Sequence, residues 1–179
     1  MRDHLDAGQG LVLRPWETRD AGAVVAAFAL PEMERQSGEP LDSLDAAGRW
    51  VQARVAQWES GSGYAFAVVS GDDEVLGGVM VSAVDRRHST GWVSYWTTLA
   101  ARGQGVATAG CRALADWAFG DPGLFRLELG HRVNNPASCR VASRAGFLVE
   151  GLERQKLAYD GVRFDVELHA RLATDPVPG

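Results

Sequence analysis

A glycine-containing loop between a predicted strand and a predicted helix constrains the fold of this 179-residue chain more than any other feature. Residues 91–97 are rich in aromatic and β-branched side chains, which is typical of a strand. The loop at residues 102–107 (RGQGVA) follows, and apolar residues then recur at helical spacing from Val106. Residues 125–129 alternate as a half-buried strand does. Such a strand–helix–strand unit predicts two parallel strands joined by a right-handed crossover.

The segments before this unit predict hairpin-linked antiparallel strands and two helices. Residues 11–14, 64–69 and 75–84 have the pattern of strands. We expect Thr18 to cap a first helix and Ser43 to cap a second one.

The segments after the unit predict one more helix and a closing hairpin. Asn135 and Pro136 suit the start of a helix, and Gly146 suits its end. Asp160-Gly161 predicts a tight turn between strands at residues 148–157 and 162–172. The fold class is therefore α/β, of the α+β type: one domain with a mixed, mostly antiparallel sheet, helices on both faces and one parallel strand pair.

Bulk properties predict a single cytoplasmic domain at residues 10–172, with flexible tails at 1–9 and 173–179. No apolar run approaches the ~20 residues that span a bilayer, and the N-terminus lacks a signal-peptide pattern. A net charge of −5 without like-charge blocks disfavours nucleic acid and suits a positively charged partner slightly better. Cys111 and Cys139 lack metal-site or disulfide spacing, so we expect two reduced helix residues and no metal.

The loop at residues 102–107 favours a pyrophosphate ligand. Its glycines let the backbone approach closely, and the following helix offers N–H groups and the positive end of its dipole. Arg102 could add a charge-assisted contact. The alternative is a plain strand-to-helix turn, because short glycine patterns recur by chance in a chain with 21 glycines. A P-loop and a three-glycine dinucleotide fingerprint are both absent from the sequence, which disfavours ATP and NAD.

Four spaced motifs together resemble the GCN5-related N-acetyltransferase (GNAT) superfamily. They are "TGWVSYW" before the loop, "ARGQGVAT" at the loop, "NNPAS" at a helix start, and "RAGF" followed by "EG". The closing "YDGVRFDVEL" is similar to the last hairpin of the branch that contains the RimJ/RimL-type ribosomal-protein N-terminal acetyltransferases. The resemblance covers roughly residues 10–172.

The resemblance implies that acetyl-CoA, with no metal, lies where the two parallel strands splay apart. Ser138 would protonate the departing thiolate, and a backbone N–H near Thr97 would stabilise the oxyanion. The residues that match the cofactor-binding positions are Trp96, Thr97, Thr98, Arg102, Gly103, Gln104, Gly105, Val106, Ala107, Thr108 and Asn135.

The resemblance does not identify a general base in this chain, because Trp92 and Ser94 stand where related sequences often have glutamate. His131 or Asp85 is the leading substitute; His88, Asp165 and Glu167 are further candidates, and water could also carry the proton. Trp92 and Asp165 are expected to line the acceptor pocket. Of Trp92 and Trp96, one is expected to point into the core because side chains alternate along a strand.

Three functions remain open from the sequence. The first is N-acetylation of a primary amine, in particular a protein N-terminal α-amine. The second is acetylation of a small amine such as an antibiotic or polyamine, and the third is CoA binding without catalysis. A homodimer is expected by analogy alone.

Overall fold

The computed structural model describes residues 4–34 and 36–178, which form a single sheet flanked by helices. Its strands are β1 (Leu5–Gly8), β2 (Leu11–Pro15), β3 (Tyr64–Val69), β4 (Val75–Asp85), β5 (Thr90–Thr97), β6 (Arg126–Arg132), β7 (Leu148–Tyr159) and β8 (Val162–Leu172). Its helices are α1 (Ala21–Phe28), α2 (Pro31–Glu34), α3 (Leu44–Ser60), α4 (Val106–Gly120) and α5 (Pro136–Arg144).

The sheet has the strand order β1-β2-β3-β4-β5-β6-β8-β7. Every neighbouring pair is antiparallel except β5 and β6, which confirms the mixed, mostly antiparallel sheet. The parallel pairing of β5 with β6 extends only from Thr90 opposite Arg126 to Trp92 opposite Glu128. Beyond Trp92 the two strands no longer pair, so the second half of β5 presents backbone groups to an opening in the sheet.

Each face of the sheet buries its own apolar cluster, which confirms the helices on both faces. One cluster lies under α4 and α5 and includes Leu114, Leu127 and Phe147. The other lies under α1, α2 and α3, where Trp16, Phe28, Met33 and Val51 are buried. A helix-covered sheet of this kind holds its strand ends in fixed positions, including the open end of β5.

Local signals placed most element ends correctly. Ser43 caps α3, because its Oγ accepts a hydrogen bond from Ala46 N–H. Asn135 caps α5 in the same way, with Pro136 as the first helical residue. Gly146 follows α5 with a φ of +85°, in the left-handed region that favours glycine. Asp160 and Gly161 have φ values of +49° and +78°, as a tight hairpin turn requires.

Two expectations were wrong at the N-terminal end, and one element was missed. Residues 5–8 do not form a flexible tail, because β1 pairs with β2 and brings Leu5 opposite Leu13. Thr18 is not a helix cap: it begins a single 3-10 turn, Thr18–Asp20, which Glu17 caps and which leads into α1. The short helix α2 was not predicted. Residues 1–3 lie outside the described residues.

In the part of the chain that the structure describes, no helix is both long and apolar enough to cross a membrane.

Candidate active site

The opening between β5 and β6 is a cavity of about 650 Å³. Its wall is built from the end of β5, the glycine loop, the first turn of α4, the segment before α5, and α5 itself. Residues of α2 close it from the other side. The lining residues are Glu32, Met33, Gln36, Tyr95, Trp96, Thr97, Ala101, Arg102, Gly103, Gly105, Val106, Ala107, Thr108, Arg132, Asn134, Asn135, Ala137, Ser138, Arg140, Val141 and Arg144.

The loop needs glycine at two positions for conformational reasons. Gly103 and Gly105 have φ values of +76° and +83°, which side-chain-bearing residues rarely adopt. Gly105 is also the N-cap of α4. The first N–H groups of a helix lack intrahelical partners, so the first turn of α4 can bind an anion beside the loop.

The backbone of β5 is oriented by its pairing with β4. Thr98 N–H donates to Leu76 O at 2.9 Å, which is on the β4 side. Because successive peptide groups in a strand point to opposite sides, Thr97 N–H faces the opening. An extended ligand in the opening can therefore pair with β5 as a strand would.

The cavity is lined mainly by positive charge, although the whole chain has a net charge of −5. Arg102, Arg132, Arg140 and Arg144 contribute to the wall. Glu32 is the single acidic residue among the described residues that line it, and its carboxylate lies 2.8 Å from Arg102. The hydrogen bond from Arg102 lowers the pKa of Glu32 below its ordinary value. This lining suits a ligand with several phosphate charges.

Ser138 lies on the cavity wall and is held by hydrogen bonds at both ends of its backbone. Its N–H donates to Asn135 Oδ1 at 3.2 Å, and its carbonyl accepts from the Tyr95 hydroxyl at 3.1 Å. Burial raises the pKa of Tyr95, so this phenol stays a neutral donor. The position of Ser138 is therefore fixed by β5 as well as by its own helix.

The structure brings most of the predicted cofactor-binding residues together. Nine of the eleven line the cavity, as does Ser138. Thr98 and Gln104 do not. Thr98 pairs with β4, and Gln104 Nε2 donates to Ala100 O at 2.7 Å inside the loop.

The two leading candidates for the base are placed away from the cavity. Asp85 lies at the β4–β5 turn, where its carboxylate accepts from the N–H groups of Arg87 and His88. Asp85 pairs with Thr90 at the start of β5, whereas the cavity lies at Thr97 near the end of that strand. At strand spacing, Thr90 and Thr97 are about 23 Å apart. His131 is buried under α5, and its Nε2 lies 2.9 Å from Nε2 of His169. Neither residue is positioned to deprotonate an amine in the cavity.

Trp92 and Trp96 do not divide between two faces as expected. They are four residues apart, and alternation along a strand places such residues on the same face. Trp96 packs against Trp16 and Phe28 in the core. Trp92 lies near Gly130 and under the ammonium of Lys156, 5.6 Å from its ring centroid. Among the residues described, Trp92 lines neither this cavity nor its neighbour.

A second, shallower cavity of about 460 Å³ adjoins the first at Asn134. Asp165 lines it, together with Phe164 and Gln155. The Asp165 carboxylate accepts the Gln155 N–H at 2.7 Å, which holds an irregular turn of β7 where Gln155 has a φ of +54°. Asp165 therefore has a structural role, and it stands next to the larger cavity.

Sequence reasoning missed Tyr95, Glu32 and three arginines of the wall. Arg140 and Arg144 carried a signal, because residues four apart on a helix share a face. Tyr95 and Glu32 carried none, because the contacts that matter join them to distant segments.

Fold and cavity define a class: an α/β domain whose ligand opening lies between two diverging parallel strands. Residues 10–148 match the acetyltransferase (GNAT) domain family. The chain is 32% identical over 114 residues to the probable N-acetyltransferase YjcK of Bacillus subtilis, which covers 63% of each protein. It is 30% identical over 122 residues to the ribosomal-protein-serine acetyltransferase of Escherichia coli, which covers 68% of each.

The solved structure of Mycobacterium smegmatis RimJ in complex with CoA-disulfide has the same fold. It is 26% identical, with a TM-score of 0.82, and the match covers 91% of this chain and 82% of that one. The chain therefore belongs to the GNAT acetyltransferase family.

Proposed function

We propose that this protein transfers the acetyl group of acetyl-CoA directly to a primary amine, and that the acceptor is the N-terminal α-amine of a protein. The observation that carries the proposal is the opening between β5 and β6, which combines free strand backbone, a left-handed glycine loop and an arginine-rich wall.

Different groups of wall residues would bind different parts of acetyl-CoA. Residues 102–108 and the first turn of α4 would hold the pyrophosphate. Arg140 and Arg144 lie one helical turn apart on α5 and offer charge for a further phosphate. The backbone at Thr97 would pair with the amide-containing arm, and Asn135 stands beside it.

Two groups of the chain meet the demands of the transfer step. Negative charge develops on the carbonyl oxygen as the amine attacks, and Thr97 N–H faces the opening where it can donate to that oxygen. The departing thiolate needs a proton or a hydrogen bond, which Ser138 would supply from the cavity wall. Both groups are held by strand or helix backbone, so they are positioned before the substrate binds.

Few of the described residues at the cavity can act as a base, which supports an α-amine as the acceptor. Glu32 is paired with Arg102, which lowers its pKa and makes it a weak base. Asp165, in the adjoining cavity, already accepts a backbone N–H. An acceptor that is partly neutral at physiological pH needs little help, and α-amines meet this condition better than lysine side chains.

The name of the Escherichia coli relative also supports a protein acceptor. We place the reaction in the cytoplasm, where ribosomal proteins are made, and a homodimer stays a prediction.

An amine panel with acetyl-CoA, followed by release of free CoA thiol, tests the proposal. The panel contains a lysine-free peptide with a free α-amine, the same peptide blocked at its N-terminus and carrying one lysine, a polyamine and an aminoglycoside. We expect thiol release chiefly with the first peptide, and acetylation at its α-amine by mass spectrometry. Release only with the polyamine or aminoglycoside would establish a small-amine acetyltransferase instead. Tight acetyl-CoA binding without release for any amine would show a CoA-binding module.

A further inference from the structure

Four side chains that the proposed reaction does not use converge between α5 and the sheet. They are His131 of β6, Cys139 of α5, and Glu167 and His169 of β8, named here the His131 cluster. Each offers one metal-ligating atom, and the four atoms lie within 4.8 Å of one another.

The topology of the fold produces this convergence. His131 and Glu167 are directly opposite in the β6–β8 pairing. His169 follows Glu167 by two residues and so lies on the same face of the sheet. The helix α5 crosses that face and carries Cys139. The exposed fractions of His131 and His169 are 7% and 1%, so the two imidazoles are removed from water.

Hydrogen bonds to backbone carbonyls define the tautomers of both rings. His131 Nδ1 lies 3.1 Å from Arg132 O, and His169 Nδ1 lies 3.3 Å from Phe147 O. A carbonyl oxygen can only accept, so each Nδ1 carries the hydrogen. In the neutral rings both Nε2 atoms then carry lone pairs. Metal-binding histidines are commonly held in this way, with the ring nitrogen that does not bind the metal donating to a carbonyl oxygen.

The lone pairs of the cluster point at one another. The two Nε2 atoms are 2.9 Å apart, and Glu167 Oε1 is 3.0 Å from His169 Nε2 and 3.4 Å from His131 Nε2. Cys139 Sγ is 3.6 Å from the same oxygen, to which its thiol can donate a hydrogen bond. The two Nε2 atoms and the Glu167 oxygen repel one another at these distances unless a positive charge lies among them.

We propose that the His131 cluster binds one Zn²⁺ ion through His131 Nε2, His169 Nε2, Cys139 Sγ and Glu167 Oε1. Tetrahedral Zn²⁺ has bonds of about 2.0–2.3 Å, which separates its ligand atoms by roughly 3.3–3.8 Å. The four separations given above, 2.9–3.6 Å, lie near this range, and all six are within 4.8 Å, so modest side-chain shifts complete the site. Imidazole and thiolate donors together favour Zn²⁺ over Mg²⁺ or Ca²⁺.

The four protein ligands leave no position for a substrate, so the site is structural. Bound Zn²⁺ would tie β6 and β8 to α5 at Cys139, the residue that follows Ser138. The ion would thus stabilise the helix whose first turn lines the active-site cavity. This inference does not depend on the identity of the acyl acceptor.

Metal titration of the full-length protein, stripped with a chelator and kept reduced, tests the site. Co²⁺ should bind at one equivalent and give a near-ultraviolet thiolate-to-metal band together with tetrahedral visible bands, and Zn²⁺ should displace it. Zn²⁺ should also raise the Tm, because an ion that binds only the folded state stabilises it.

Matched variants separate this site from adventitious binding. Cys139→Ser should abolish the thiolate band, whereas Cys111→Ala, which removes the buried cysteine of α4, should retain it. His169→Ala should weaken Zn²⁺ binding by ~100-fold or more, since even loss of the hydrogen-bond partner of a metal ligand costs about 10–100-fold. His88→Ala, at an exposed histidine, should leave binding unchanged.

Absence of a saturable one-to-one complex with Co²⁺ or Zn²⁺ in the wild type would overturn the proposal. So would an equal thiolate band in Cys139→Ser. In either case the His131 and His169 rings would instead share a proton, and the Glu167 carboxylate would balance its charge.

Discussion

At the scale of single residues, Ser138 is the side chain on which we expect the chemistry to depend most. Its backbone is fixed by Asn135 and Tyr95, so Ser138→Ala should change little besides the hydroxyl. We expect kcat to fall by roughly 10- to 1,000-fold with a modest change in acetyl-CoA affinity, because the thiolate needs its proton only as the bond breaks. Single-turnover kinetics would measure the chemical step. Ser143→Ala, at an exposed serine of the same helix, is the control and should be neutral.

An unchanged rate of the chemical step in Ser138→Ala would leave Ser138 a structural residue of the first turn of α5.

We expect Glu32 to oppose phosphate binding in the cavity. Its carboxylate pairs with Arg102 at 2.8 Å in an exposed ion pair. Glu32→Gln should release Arg102 and remove a negative charge. The Kd for CoA should then fall by roughly two- to fivefold, which corresponds to the free energy of an exposed ion pair. Calorimetry at low and high salt would measure this, and the difference should shrink as salt screens it. Glu39→Gln, another exposed acid before α3, is the control. Weaker CoA binding in Glu32→Gln would mean that the pair holds the loop in its binding conformation.

The sequence predicted residues whose role is local and missed those whose role comes from long-range contacts. Asn135 and Gly105 were found because capping and positive φ depend on the immediate backbone. Tyr95 reaches Ser138 across 43 residues of chain, and the ligands of the His131 cluster come from three separate elements. Metal-site spacing rules detect ligands that are close in sequence, so the spacing of Cys111 and Cys139 carried no signal for ligands that come from separate elements.

At the scale of elements, the loop between β5 and α4 combines a conformational requirement with the binding role proposed for it. Gly105→Ala places a side chain at a φ of +83°, and Gly123→Ala does the same at +67° in the loop before β6. Each substitution should cost about 1–2 kcal/mol of stability, because both put alanine in the left-handed region. Only Gly105→Ala should raise the KM for acetyl-CoA, by about tenfold, since its added methyl group crowds the pyrophosphate position. Thermal unfolding and initial rates would measure both effects.

Equal KM values in the two glycine variants would remove the loop from the proposed cofactor site.

Elements with strong local signals were predicted, and elements fixed by tertiary contact were not. The strands from β3 to β8 and the helices α3, α4 and α5 have regular periodicity with clear caps or turns. By contrast, β1 has four residues and gains its order from pairing with β2, and α2 also has four residues. A segment this short carries too few residues for a periodic pattern.

At the scale of the whole molecule, the sheet both stabilises the domain and creates the site. The strand order places β5 and β6 in the interior of the sheet, where the helices on both faces hold them in fixed positions. The short parallel pairing then ends at Trp92, and the opening appears inside a rigid framework. The splay was expected from the family resemblance, since the strand patterns alone predict only that the two strands are parallel.

The composition of the cavity also predicts how turnover depends on pH and whether an α-amine or a lysine amine is the better acceptor. At pH 7.5 about a quarter to two fifths of α-amines with pKa values of 7.7–8.0 are neutral, compared with about one in a thousand lysine amines at 10.4. Since four arginines and one ion-paired glutamate are the charged residues described in the cavity lining, we expect the acceptor to supply its own neutral form. With a free α-amine peptide, kcat/KM should therefore rise towards pH 8 and then level off.

Profiles of kcat/KM from pH 6 to 9.5 for the α-amine peptide and the matched lysine peptide test this expectation. The α-amine peptide should be faster at pH 7.5, and the lysine peptide should still be gaining rate at the upper end, because its amine keeps losing protons there. Faster turnover of the lysine peptide at pH 7.5 would contradict the expectation. It would require a base able to remove a proton from a lysine, and Glu32 could not fill that role while Arg102 keeps its pKa low.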